Sequence, residues 1–246
     1  MEEQQPQLTK RECRELRRQE KDQERSQMIK RKTMHKIFIW TLVVLGVGGI
    51  IWGLVMFASN SASDKTILPV NAISESDWVK GAKTQKIVLI EYSDFQCPAC
   101  GAYYPVIKQV VEEFGENIAF VYRHFPLRQI HKNAELAAQA AEAAGKQNKF
   151  WEMHDMIFEN QKEWSNERNA KEFFVRYASA LDLNKEQFAA DFGSKEIKNK
   201  INADYQSGLR FNVNATPTFF LNGEKLQSPR NYEDFKSLIQ GAISQQ

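Results

Sequence analysis

The stretch Ile87-Val88-Leu89-Ile90-Glu91-Tyr92-Ser93-Asp94-Phe95-Gln96-Cys97-Pro98-Ala99-Cys100 decides the fold. Its first four residues form an unbroken apolar run, which suits a strand covered on both faces of a sheet. Its last four open a helical-looking segment, Gly101 to Phe114, and Pro98 is tolerated in a helix's first turn. Two thiols separated by two residues at a strand-to-helix junction are arranged for thiol–disulfide chemistry. The unpaired N–H groups and the dipole of a helix N-terminus stabilise an anion. The thiolate is the nucleophile in exchange, so this placement predicts a Cys97 pKa below the usual value of about 8.5. Cys100, one turn deeper, is the expected resolving thiol. A stable thiolate also leaves readily, which makes its disulfide oxidising.

The cysteine count supports a reactive pair. The third cysteine, Cys13, stands alone in a charged N-terminal segment, and Cys97 and Cys100 are the only ones after the apolar run at 37–58. A secreted domain stapled by disulfides carries more. A bridge between neighbours this close closes almost no loop, so the domain must fold on an apolar core. Its 42% hydrophobic content is adequate for that.

Charge is distributed unevenly. Residues 1–36 hold 11 Lys/Arg against 7 Asp/Glu, and no charge lies between Ile37 and Ala58. The rest of the chain carries 22 basic and 24 acidic residues. That balance, without a basic–aromatic stripe, argues against nucleic acid as a partner.

Four regions follow. Residues 1–36 read as a basic cytoplasmic tail. Residues 37–58, IFIWTLVVLGVGGIIWGLVMFA, read as a transmembrane helix. Twenty-two helical residues span roughly 33 Å against a hydrocarbon core of about 30 Å. Lys30-Arg31-Lys32 and Lys36 precede the span and a nearly neutral Ser-rich stretch follows. The positive-inside rule therefore puts the N-terminus in the cytoplasm and the rest outside the cell membrane. The run exceeds the roughly 7–15 apolar residues of a signal peptide, which favours a retained anchor over a cleaved leader. Residues 59–85 read as a linker and lead-in, with a short helix expected through Trp78-Val79-Lys80, capped by Ser76 or Asp77.

Residues 86–246 read as an α/β domain. After the strand and the helix from Cys97, Asn117–Phe125 is a second β-rich run. From about 130 to 211 the pattern is helical throughout. Ala215–Leu221 then reads as a strand, Asn222-Gly223 as a hairpin turn, Glu224–Leu226 as its return, and Tyr232–Ile243 as a closing helix. Without the helical block this is the strand–helix–strand, hairpin–helix order of the thioredoxin fold, with an inserted α-helical domain.

The segment from Ile90 to Cys100 closely resembles the active-site region of bacterial DsbA-like thiol–disulfide oxidoreductases. So do Tyr122-Arg123-His124-Phe125-Pro126-Leu127 and Gly145-Lys146-xxx-Phe150-Trp151-Glu152-Met153-His154. Thr216-Pro217, before a Phe-rich strand, resembles the cis-proline loop of thioredoxin-fold proteins. The resemblance covers about residues 66–244. It implies a redox-active Cys97–Cys100 disulfide and a substrate edge formed by Thr216, Pro217, Pro98 and Ala99. It also implies a buried acid, Glu91, six residues before Cys97, which handles the proton of Cys100. A carboxyl under the helix has a raised pKa and suits a general base; Asp94 competes for that role.

The expected function is introduction of disulfides into translocated, cysteine-containing proteins. A membrane redox partner reoxidises the pair, and neither a bound cofactor nor a metal is expected. Two departures from the best-known oxidant leave the direction open. The dipeptide between the sulfurs is Pro-Ala, and the residue before the proline is Thr, as in some isomerases. A reductase or isomerase of the same fold is the first alternative. A non-catalytic peptide-binding module or holdase is the second, and zinc held by the cysteines with two histidines is a third.

Overall fold

The computed structural model describes residues 72–81, 87–227 and 229–245, together with Val70 and seven positions between Met34 and Gly49. The tail, Cys13 and most of the expected span at 37–58 lie outside the described residues. Among the described residues no helix is long and apolar enough to cross a membrane. The chain divides into two units, 1–67 and 68–246, and the second carries the site.

A five-stranded sheet forms the centre of that unit. Strands β1 (Trp78–Gly81), β2 (Ile87–Ser93), β3 (Ile118–His124), β4 (Thr218–Leu221) and β5 (Glu224–Lys225) lie in the order β1-β3-β2-β4-β5. β2 and β3 are parallel, and their connection is helix α1 (Pro98–Phe114). The other pairings are antiparallel. Every residue of β2 and β3 is buried, as expected of central strands.

The period of two along β2 sorts its side chains. Ile87 and Leu89 join the core under α1 and the closing helix α8 (Tyr232–Ile243), with Ile107, Val110, Phe235 and Ile239. Val88, Ile90 and Tyr92 join the opposite core with Val121, Phe125 and Phe220. Alternation therefore puts Glu91 and Ser93 on the α1 face, one step and two steps beyond Leu89.

The helical block spans Ala134 to Arg210 in six helices: α2 (Ala134–Gly145), α3 (Phe150–Glu159), α4 (Gln161–Trp164), α5 (Ala170–Ala180), α6 (Lys185–Asp191) and α7 (Lys195–Arg210). Its core packs Ala137, Ala141, Met153, Ile157, Trp164 and Phe174 and runs on to Phe95, Cys97 and Cys100. Insert and active site thus share one hydrophobic cluster. The Asn222-Gly223 turn holds both residues at positive φ, 50° and 91°, the requirement of a two-residue hairpin of this hand.

One expectation is corrected. Trp78-Val79-Lys80 forms not a short helix but the edge strand β1, paired with β3 from Trp78↔Tyr122 to Gly81↔Ala119. β3 has a free edge there, and tertiary pairing outweighs a marginal helix of one turn. The indole of Trp78 stacks on Phe150 at 4.4 Å and donates to Glu142 at 2.8 Å. Asp77 caps no helix either: its carboxylate takes the Arg123 guanidinium at 2.8 Å and the Ser74 N–H at 2.8 Å.

Candidate active site

Cys97 is the N-cap of α1, with extended backbone (φ −67°, ψ 121°), and Pro98 occupies the first turn. Both cysteines are free thiols in this structure. Cys97 is 7% exposed and Cys100 1%, so only the first sulfur reaches the surface. Pro98 and Ala99, between them, are exposed.

The environment separates the two sulfurs electrically. The Cys97 pKa is lowered to about 5, first by the Cys100 thiol. The Thr216 hydroxyl and the backbone N–H groups of Cys100 and Ala99 add to this, against the cost of burial. Cys100 is pushed well up, chiefly by burial and then by its Cys97 neighbour. One sulfur is ready to ionise and the other holds its proton, which is the division a nucleophile and a resolving thiol require.

The Thr216–Pro217 peptide bond is cis, and the Thr216 carbonyl accepts from Cys97 Sγ at 3.4 Å. The Thr216 hydroxyl is buried and without a fixed partner in the dithiol form. It is placed to donate to the sulfur once the thiol ionises.

Glu91 lies beneath the helix. It is 5% exposed, and burial raises its pKa to about 7, with the Cys97 charge adding and Ser93 opposing. Ser93 lies beside Glu91 and Cys100 and lowers both, and its hydroxyl has no fixed partner. A carboxyl titrating near neutrality, next to a high-pKa thiol, is poised for proton transfer.

Asp94, its competitor, is occupied. One carboxylate oxygen accepts the Gln96 N–H at 2.7 Å. The other accepts the Leu127 N–H at 2.8 Å and sits 2.7 Å from His131 Nδ1. Asp94 builds the loop that ends in Cys97. His124 and His154 are both buried and bound to carboxylates, Glu142 and Asp155, at 2.8 Å each. Among the described residues no group of three His, Cys, Asp or Glu side chains is placed to hold a metal ion.

Sequence reasoning missed the clamp between the insert and the active-site loop. Gln161, at the start of α4, donates its amide to the carbonyls of Phe95 at 2.7 Å and Cys97 at 2.8 Å. Gln96 donates to Ser165 O at 2.6 Å and accepts from the Asn133 N–H at 2.6 Å. Gly101 makes room: a Cβ there would stand 2.5 Å from Gln161 Oε1. No sequence signal marks Gln161, since its partners are more than sixty residues away. Gln161→Ala is expected to lower the unfolding free energy by about 1–2 kcal/mol, the cost of leaving buried carbonyls less satisfied. Urea titration measures this, and an unchanged midpoint would show the clamp to be dispensable.

A groove of about 760 Å³ lies between the start of α1 and α4, bordered by Gln96, Pro98, Gly101, Asn160, Gln161 and Ser165. A family model described as Thioredoxin matches residues 74–241.

The chain belongs to the thioredoxin family.

Solved structures share its fold. BdbD from Bacillus subtilis superposes with a TM-score of 0.63 at 20% identity, over 72% of this chain and 97% of that one. The α-DsbA1 of Wolbachia pipientis gives a TM-score of 0.63 at 22% identity, over 72% and 94%. Among curated sequences, the Na(+)/H(+) antiporter NhaA 3 of Salinispora tropica is 34% identical over 170 residues, 69% of this chain and 25% of the antiporter. The chain thus spans about a quarter of the length of the curated relatives it matches.

Proposed function

We propose that this DsbA-like protein introduces disulfides into translocated proteins. In this reading it is anchored by residues 37–58, with its domain outside the cytoplasm. The observation that carries the direction is the contrast within the pair: a Cys97 thiol acidified to about 5 beside a Cys100 thiol pushed well up. Stabilising the thiolate stabilises the reduced enzyme and makes its disulfide an oxidant.

In the forward cycle a substrate thiolate attacks Cys97 Sγ of the disulfide, and Cys100 leaves and takes up a proton. The second substrate thiolate attacks the first substrate sulfur, releasing a substrate disulfide and the Cys97 thiolate. Thr216 and the cis-Pro217 present a backbone edge beside the reacting sulfur, along which an extended substrate pairs as an added strand. A membrane redox partner then removes two electrons from the dithiol. The span and the basic residues before it support the location.

The test is stoichiometric. Oxidised full-length protein mixed with a reduced, unfolded substrate carrying two cysteines is expected to form one substrate disulfide per Cys97–Cys100 disulfide consumed. Failure to oxidise, with reduction of substrate disulfides instead, would establish the reductase or isomerase reading. In intact cells a membrane-impermeant thiol reagent is expected to label Cys97, and protection of Cys97 would overturn the location.

A further inference from the structure

Glu91 must exchange protons with water and is only 5% exposed. The groups that act on it, Ser93, Cys97, Cys100 and Tyr122, are buried too. Behind Glu91 a narrow cavity of about 20 Å³ lies between α1, α3 and the sheet, room for one water molecule. Glu91 and His154 both line it, and its walls are otherwise largely apolar, including Ile107, Phe120 and Phe158.

His154 is held for proton work. Its Nδ1 lies 2.8 Å from Asp155 Oδ1. Burial would raise the Asp155 carboxyl, but its hydrogen bond to His154 keeps it below the usual range, so it stays ionised. An ionised carboxylate at Nδ1 requires the proton on that nitrogen, which leaves Nε2 as an acceptor. Burial keeps the ring neutral at rest, against the attraction of Asp155. Asp155 is partly exposed and lies 3.6 Å from Lys80, at the mouth of the cavity.

We infer that His154 is a proton-relay residue, carrying protons between Glu91 and bulk solvent through a single water in this cavity.

The inference rests on the thiol–disulfide reading of the site. When the dithiol is oxidised, Cys97 first forms a mixed disulfide with the oxidant; Cys100 then gives its proton to Glu91 and attacks Cys97 Sγ, and the oxidant's sulfur leaves as a thiolate. The Glu91 carboxyl returns a proton to the cavity water, which passes one to His154 Nε2. The imidazolium, balanced by Asp155, releases that proton to water at the mouth and keeps its Nδ1–H. Reduction runs the sequence backwards, and each acceptor ends as it began.

The surrounding charges suit this transit. On the Glu91 side stand the two cysteines, Ser93 and Tyr122, whose phenol is pushed far up by burial and then by Glu91 and so keeps its proton. From β3, the His124 ring disfavours a charge on His154. From β1, Lys80 also disfavours it, which hastens release. From α1, Tyr104 and Lys108 are tied to Glu159 at 2.9 and 3.1 Å.

The test separates the two half-reactions by stopped flow on the full chain: the oxidised protein with a reduced peptide, and the reduced protein with an oxidised peptide that forms a transient mixed disulfide on Cys97. His154→Gln retains polarity but cannot take the proton. It is expected to slow the Cys100-dependent resolution about tenfold, less than the 10²–10⁴ of a direct general base, and to enlarge its solvent isotope effect. Attack at Cys97 and the thiolate titration should change much less. Asp155→Asn is expected to act in the same direction. His154→Ala opens space for free imidazole, which should restore the resolution rate. Resolution at the unaltered rate in His154→Gln would overturn the relay, and so would equal slowing of both half-reactions. Absence of any exchange in the unaltered protein would instead overturn the oxidoreductase reading itself.

Discussion

Cys97→Ser is expected to abolish exchange with a dithiol substrate, whereas Cys100→Ser leaves the first attack intact and traps a mixed disulfide on Cys97. The two sulfurs differ in reach and in charge. Cys97 is 7% exposed at the helix N-terminus and acidified to about 5. Cys100 is 1% exposed and receives the Asp94 N–H at 3.5 Å. A serine hydroxyl does not ionise near neutral pH, and replacing a covalent nucleophile elsewhere has cost on the order of 10⁶-fold. Exchange should therefore fall to the uncatalysed background. Mass spectrometry of the Cys100→Ser protein incubated with an oxidised peptide reads the adduct directly. Exchange surviving in Cys97→Ser, or an adduct on the deeper position, would reverse the assignment of the sulfurs.

The second expected result is a strong pH dependence of the redox couple. The Cys97 pKa is depressed to about 5 in the fold, against about 8.5 for a free thiol. A depressed acid stabilises the fold of the reduced protein fully above the unfolded value. That contribution declines as pH falls from about 8.5 and is gone below about 5. The disulfide form has no thiolate and gains none of it. The reduced protein should therefore melt above the oxidised one at neutral pH, with the gap narrowing towards pH 5. At pH 7 the reduced state is favoured by roughly a hundredfold over an unperturbed dithiol. At about 30 mV per tenfold this raises the potential by on the order of 60 mV. Equilibration with glutathione should accordingly place it above thioredoxin's value of about −270 mV. A potential at or below that value, or a thiolate absorbance that titrates near pH 8, would remove the basis for an oxidase.

Much of this is legible in the sequence. Apolar continuity in Ile87–Ile90 marks a central strand, because only a sheet covered on both faces tolerates it. The Cys-Pro-Ala-Cys segment marks a helix start because proline and a thiolate both suit a first turn. Asn222-Gly223 marks its hairpin because both residues accept positive φ. Trp78–Lys80 reads locally as a helix and forms a strand, for a physical reason. Three residues have no periodicity to speak of, and the free edge of β3 that recruits them lies about forty residues on.

The sequence by itself determined the reagent, a lone pair of thiols at a strand-to-helix junction after an uncharged run of 22 residues. Spacing and composition are local properties, and they suffice to name the chemistry. Only the tertiary structure decided how the pair is tuned. Alternation along β2 alone does not reveal that Glu91 is buried. The covering α1 and insert do that, and burial is what carries its carboxyl to about 7. The same holds for Asp94, diverted to His131 and Leu127, and for Gln161 and His154, which reach the site from the inserted helices. Desolvation and hydrogen bonding depend on what the fold brings alongside. They cannot be read from neighbours in the chain.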